Sequence, residues 1–146
     1  MTVGIRIELG DEASDGLRAL AGRADLTDAL DEIGGSLETS TQRRFETETD
    51  PEGRDWKRLS DATLARRGPG AKKLRDQVDL YDSIGHRVLG KRVAVGANRT
   101  YARIQHLGGK AGRGKKVTIP ARPYLGISAA DRREIAEIVR DHLEAT

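Results

Sequence analysis

Few residues in this 146-residue chain have the type and spacing to do chemistry. The loop Gly109–Lys116, "GKAGRGKK", matches a phosphate-binding loop up to its last position, where Lys116 stands in place of the magnesium-binding Ser or Thr. That loop works between a strand and a helix, and here it runs into "VTIP", which Pro120 keeps from being helical. His86, His106 and His142 are far apart, and no Asp or Glu forms a zinc-ligand spacing with any pair of them. Asp76, Asp79 and Asp82 recur every third residue, the pattern of a solvated helix face. The absence of cysteine removes disulfides, thiolate metal sites and a cysteine nucleophile. No catalytic, cofactor-binding or metal-binding residue is assigned, no cofactor is expected, and an enzyme ranks third among the functions considered.

What remains is charge. The net +3 conceals an asymmetry: residues 1–50 carry 12 acidic against 5 basic side chains, a balance of −7. Residues 51–123 carry 18 basic against 6 acidic, +12, and residues 124–146 return to −2. An acidic end and a basic middle suit either a nucleic-acid face or complementary surfaces between copies of the chain. Lys110, Arg113, Lys115 and Lys116, on a glycine scaffold with no core residue, form a mobile loop over 108–116 that can touch phosphates without reading sequence. An ordinary solubilising loop is the plain alternative.

The elements that must position these groups follow from periodicity. Val3, Ile5, Ile7 and Leu9 alternate as a half-buried strand does. Leu26, Leu30, Ile33, Leu37, Thr41 and Phe45 share one helix face, which predicts a long helix from about Asp25 to Glu48. Gly34-Gly35 inside it implies a bend or a closely packed neighbour. Asp50-Pro51 opens a turn that Gly53 closes, ahead of Trp56. Ser60 caps a short helix through Arg67, and Leu74, Val78, Tyr81 and Ile84 mark another. "HRVLG" and "KRVAVGA" read as a hairpin turning at Gly90-Lys91. Tyr101, Ile104 and Leu107 fall at helical spacing, "KVTIP" is a strand, and a last helix starts at Ser128 with Asp131 three residues on. The result is one α+β domain over residues 1–146: a long N-terminal helix and a C-terminal helix packed on a small, mostly antiparallel sheet. With aromatics at 3%, Phe45, Trp56 and Tyr101 are the expected core or interface anchors.

"VTIPARPYLGIS", Val117–Ser128, holds two of the four prolines. Each fixes its own φ and extends the residue before it, so Ile119 and Arg122 are held before any partner arrives. Pro120, Arg122, Pro123 and Tyr124 are therefore the expected assembly interface, with Arg122 offering a bidentate fork to a partner's carboxylate. The plainer reading is that the prolines end the strand and aim the last helix.

Taken in order, "RRFETETDPEGRDWKRLSDAT", "LYDSI", "VAVGANRTYARIQHLGG" and "VTIPARPYLGIS" resemble the signature segments of the phage virion morphogenesis family, the tail-completion proteins of contractile-tailed bacteriophages. The similarity runs from about Phe45 to Ser128 and on into the final helix. One departure is visible: the family often places His directly after Ile, whereas Gln105 here separates Ile104 from His106. The resemblance implies a small structural α+β protein of a phage or prophage that completes the tail or joins it to the DNA-filled head, without cofactor or catalysis. The expected partners are copies of itself in a six-fold ring, other neck or tail proteins, and non-specifically the phage DNA, with no membrane. A DNA-binding accessory protein using the basic middle is the alternative. "MTVGIRIELGDE" lacks the basic start and continuous apolar core of a signal peptide, so the expected location is the host cytoplasm during assembly and then the virion.

Overall fold

The computed structural model describes residues 26–74 and 79–144. The strand expected over Val3–Leu9 lies outside them, as do Asp76 and Val78 of the helix expected before Ile84. The first described element, α1, is the helix Leu26–Thr47, within two residues of the predicted bounds. Its buried face is the predicted stripe, from Leu26 through Leu30, Ile33, Leu37 and Thr41 to Phe45. Thr41 turns its hydroxyl back to donate to Leu37 O at 2.7 Å, which lets a polar residue sit in that stripe. Asp28 in the first turn and Arg44 in the last complement the helix dipole.

Two short helices follow, α2 (Asp61–Arg67) and α3 (Asp79–Asp82). Ser60 caps α2 by accepting from Thr63 N, as expected. Then come β1 (Gly85–Leu89) and β2 (Arg92–Gly96), an antiparallel hairpin in the register Leu89↔Arg92 to Gly85↔Gly96. Gly90, with φ 63°, takes the first of its two turn positions, where a positive φ favours glycine. Val93 and Val95 face inward onto α1. That approach explains Gly34: a Cβ there would overlap the His86 ring and come within 2.8 Å of Val93 Cγ2. The glycine is kept by a packed neighbour.

Helix α4 (Ala102–Leu107) leads into β3 (Gly109–Ala111), a 3₁₀ turn (Arg113–Lys115) and β4 (Val117–Ile119). The expected basic loop over 108–116 starts in a strand: Gly109–Ala111 pairs antiparallel with Val117–Ile119, from Gly109↔Ile119 to Ala111↔Val117, and 112–116 make the turn between them. The glycines had suggested flexibility. Gly112 and Gly114 supply the φ values of 80° and 71° in the reversal, and Gly108, at 74°, ends α4. The described strands are thus all antiparallel, divided between two separate ladders. The last element, α5 (Ala129–Glu144), packs on α1 through Ile135, Ile138 and Val139. Its start is the expected capping box: Ser128 N donates to Asp131 Oδ2 at 2.9 Å, and Asp131 N donates to Ser128 Oγ at 3.0 Å.

Candidate assembly interface

The aromatic residues settle where the signature segments go. Phe45, fully buried at the end of α1, meets Trp56 edge-on at 5.4 Å, Tyr81 edge-on at 5.8 Å and Tyr124 at 5.3 Å. Phe45 and Trp56 are therefore both buried in the core. Tyr101 is not in that core: it is 38% exposed.

Around this cluster the segment from Pro120 to Gly126 has left the ladder, so its backbone groups need other partners. Side chains supply most of them. Trp56 Nε1 donates to Pro123 O at 2.6 Å, and Arg44 Nη1 donates to Tyr124 O at 2.8 Å and Gly126 O at 3.1 Å. His106 Nδ1 accepts from Tyr124 N and from Leu125 N, each at 3.3 Å. Arg122 N donates to Gln105 O at 2.9 Å, and the buried Tyr124 hydroxyl to Ala102 O at 2.7 Å. Prolines contribute no N–H, so the segment brings fewer donors to satisfy.

Arg122 corrects an expectation. It is buried, with Nε donating to Lys57 O at 2.8 Å and Nη2 to Arg58 O at 3.1 Å, both in its own subunit. The reason is the period of an extended chain: side chains at 122 and 124 share a face. Tyr124 occupies the core, so Arg122 is drawn inward, while Ala121 is exposed. Burial pulls the Arg122 guanidinium below its ordinary pKa despite the favourable charge of Glu48. Arg122 and Tyr124 are ties within the subunit and not outward anchors; Pro120 and Pro123 are half-buried.

Two polar centres hold this hub together. Arg44 Nη2 donates to Asp131 Oδ2 at 2.6 Å in a buried ion pair, joining the end of α1 to the first turn of α5. Sequence reading missed Arg44, although its place three residues after Thr41 and beside Phe45 puts it on the buried stripe. Asp50 builds the Asp-Pro-x-Gly turn: its Oδ1 accepts from Glu52 N and Arg54 N, and its Oδ2 from Arg54 Nε, all at 2.9 Å. Burial opposes its charge, but these bonds and the Arg54 charge outweigh that and lower its pKa. The turn also seats Pro51 against Gly126, where any Cβ would overlap the proline ring.

The histidines act separately. His106, as an acceptor at Nδ1, carries its proton on Nε2, and burial lowers its pKa. His86 is the opposite case. Its Nδ1 lies 2.6 Å from Glu38 Oε2 and its Nε2 2.9 Å from Asp31 Oδ1, so both nitrogens donate when the ring is charged. Burial works against that charge, but the two carboxylates prevail and raise the pKa. His142 Nε2 meets Glu32 Oε2 at 2.8 Å, a tie from α5 to α1. Among the described residues no group of three or more His, Asp or Glu side chains is arranged around a metal-sized site.

The surface left open lies beside this hub. A groove of about 710 Å³ runs between β4 on one side and α2 with the irregular segment leading into it on the other. Lys57, Arg58, Arg66 and Arg67 line one wall. Its apolar surface comes from Val117, which is 54% exposed, and Tyr101, together with Leu59, Leu74, Leu80 and Ile119. Lys110, Arg113, Lys115 and Lys116 are all exposed on the neighbouring hairpin. The exposed carboxylates of Asp28, Asp31, Glu32 and Glu46 lie on α1, and those of Glu134, Glu137, Asp141 and Glu144 on α5.

The model of the phage virion morphogenesis family matches residues 10–144. The chain belongs to that family. A role in building phage particles follows from the membership. The chain is 34% identical over 141 residues to Mu-like prophage FluMu G protein 2 of Haemophilus influenzae, covering 96% of this chain and 95% of that protein. It is 31% identical over 137 residues to a protein of Escherichia phage Mu named, as a proposal, capsid assembly protein G, covering 80% of this chain and 87% of that one. No solved structure matches it significantly. Among the described residues no helix is long and apolar enough to cross a membrane.

Proposed function

We propose that this protein is a structural, non-catalytic subunit that completes the phage tail or joins it to the head. It works as copies of itself in a closed ring, six-fold, and meets other neck or tail proteins. It assembles in the host cytoplasm and stays in the particle. The observation that carries this reading is that the family's motif segments converge on a packed hub around Phe45 and Tyr124 and spend their polar groups on one another. Such a hub sets the shape of a building block and leaves the charged surfaces for contacts. In a ring each subunit uses two different, complementary surfaces. The acidic faces of α1 and α5 on one copy oppose the basic α2 and β3–β4 of the next. Exposed pairs contribute about 0–1 kcal/mol each, so the contact is collective and weakens with salt.

Deleting the gene from an inducible prophage tests this. Unjoined heads and tails are expected under the electron microscope. Infectious particles at normal yield would overturn the reading.

The four exposed cations on the β3–β4 hairpin favour a second reading, contact with DNA that occupies the ring's lumen or, as the alternative function, an accessory DNA-binding protein. Retention of duplex at moderate salt by a monomer or dimer, lost when Lys110, Arg113, Lys115 and Lys116 become Ser, would favour the accessory role over the ring.

A further inference from the structure

Val117, Thr118, Ile119 and Pro120 all border the groove. Successive side chains of a strand point to opposite faces, so a groove that meets every residue of β4 runs along the strand's edge. Among the described residues β4 pairs only with β3, on its other edge. Among the described residues the groove is therefore a strand edge with no partner strand, facing a cationic wall, with Tyr101, Val117, Leu59 and Leu80 among its apolar lining. An occupant that fits has an extended backbone to pair with the edge, apolar side chains at alternate positions, and negative charge. Duplex DNA meets only the last of these.

The chain carries such a segment. In "VGIRIELGDE", Val3–Glu12, Val3, Ile5, Ile7 and Leu9 alternate, and Glu8, Asp11 and Glu12 outweigh Arg6. A strand of this kind needs a sheet to join, because isolated strands are not stable in water. We propose that Val3–Glu12 of one copy pairs with the β4 edge of the next and lays its carboxylates against Lys57, Arg58, Arg66 and Arg67. Pro120, which cannot donate, ends the ladder and limits the register. The inference rests on the ring reading and names the contact through which neighbouring copies join.

Because the chain has no cysteine, single thiols are clean probes. Full-length Arg6→Cys and Thr118→Cys proteins, each confirmed as folded by thermal melting, are mixed and treated with a short bis-maleimide. Gly4→Cys and Val117→Cys serve as a second pair. A covalent dimer of the two different variants is expected. It should fall several-fold when Arg66→Glu is added to the Thr118→Cys partner, and fall with rising salt. Absence of the mixed dimer with both pairs would overturn the proposal. So would a link formed only within one chain carrying both thiols. A third contrary result is a Thr118→Cys thiol that duplex DNA protects and a peptide of residues 1–15 does not. The two readings fail separately: a chain needed for particles that does not cross-link removes this contact alone. A chain that cross-links yet is dispensable for particles removes the assembly role alone.

Discussion

The segments 109–119 and 120–126 adjoin in sequence, and both had the look of a docking surface, yet the fold uses them in opposite ways. The first, rich in glycine and lysine, forms a hairpin with its cations in solvent. The second, stiffened by two prolines, is turned into its own subunit and held by Arg44, Trp56, His106 and the Arg122–Lys57 and Arg122–Arg58 bonds. Glycine here marks positive φ in a tight reversal, and proline marks a backbone that needs fewer partners where it crosses a core. Stiffness was a poor guide to exposure; the period-two face shared with Tyr124 was the better one.

Substitutions in the second segment's supports should act on folding. Arg44→Ala leaves the Asp131 carboxylate buried without its partner, and removing one member of a buried ion pair costs about 3–5 kcal/mol. Trp56→Ala should cost a similar amount, about 3–5 kcal/mol, through lost burial. Both are read as a large fall in Tm of the purified chain. An unchanged Tm for either would break the contrast.

Gly34→Ala and Arg122→Ala come next. The added methyl at 34 has nowhere to go under His86 and Val93, and overpacking of this kind costs about 1–3 kcal/mol. Arg122→Ala leaves two inward-facing carbonyls without donors, at about 1–3 kcal/mol each at most. It should lower Tm before it touches assembly. A folded, fully stable Arg122→Ala protein that fails only to assemble would return Arg122 to the interface.

How much of this was legible follows from the same residues. Helix α1, the α2 cap, the β1–β2 turn and the Ser128–Asp131 box were readable because each rests on local rules of period or capping. The inward face of Phe45 followed from the period of α1, and the size of Trp56 in an aromatic-poor chain marked it only as a core or interface anchor. The buried roles of Arg44, Asp131 and Arg122 were not readable, because each depends on partners up to 87 residues away. A charged side chain in a sequence gives no sign of such a partner. The groove was hidden for the same reason: its walls come from residues near 58, 66, 101 and 118 that only the fold brings together.

The histidines sharpen the comparison through pH. His106 supports the proline segment only when neutral, and burial holds its folded pKa below the ordinary 6.5. Its contribution is thus complete above that value and is lost as pH falls through 6.5 toward the folded pKa. His86 has a raised folded pKa, so its contribution is complete below 6.5 and is lost as pH rises through the folded value. Tm measured against pH should decline on the acid side through His106 and on the alkaline side through His86. His106→Gln and His86→Gln should each flatten one side; flattening of the same side by both would contradict the assignment.

The smallest effect on folding belongs to the hairpin. Changing Lys110, Arg113, Lys115 and Lys116 to Ser should move stability by less than about 0.5 kcal/mol per site while reducing phage yield. Normal yield would show that the hairpin takes no part in assembly.

The central claim is that this subunit is a building block of the particle whose hairpin and groove, up to Pro120, face its neighbours and whose Arg122–Tyr124 stretch is bonded within its own subunit. Cryo-electron microscopy of the intact particle tests it most directly. The expected map shows copies of this chain in a closed ring at the tail end or neck, with the groove beside β4 filled at each contact. Arg122 should be bonded to Lys57 O and Arg58 O of its own subunit. A particle without the chain, or a ring joined through Arg122–Tyr124 with the hairpin and groove open to solvent, would contradict it.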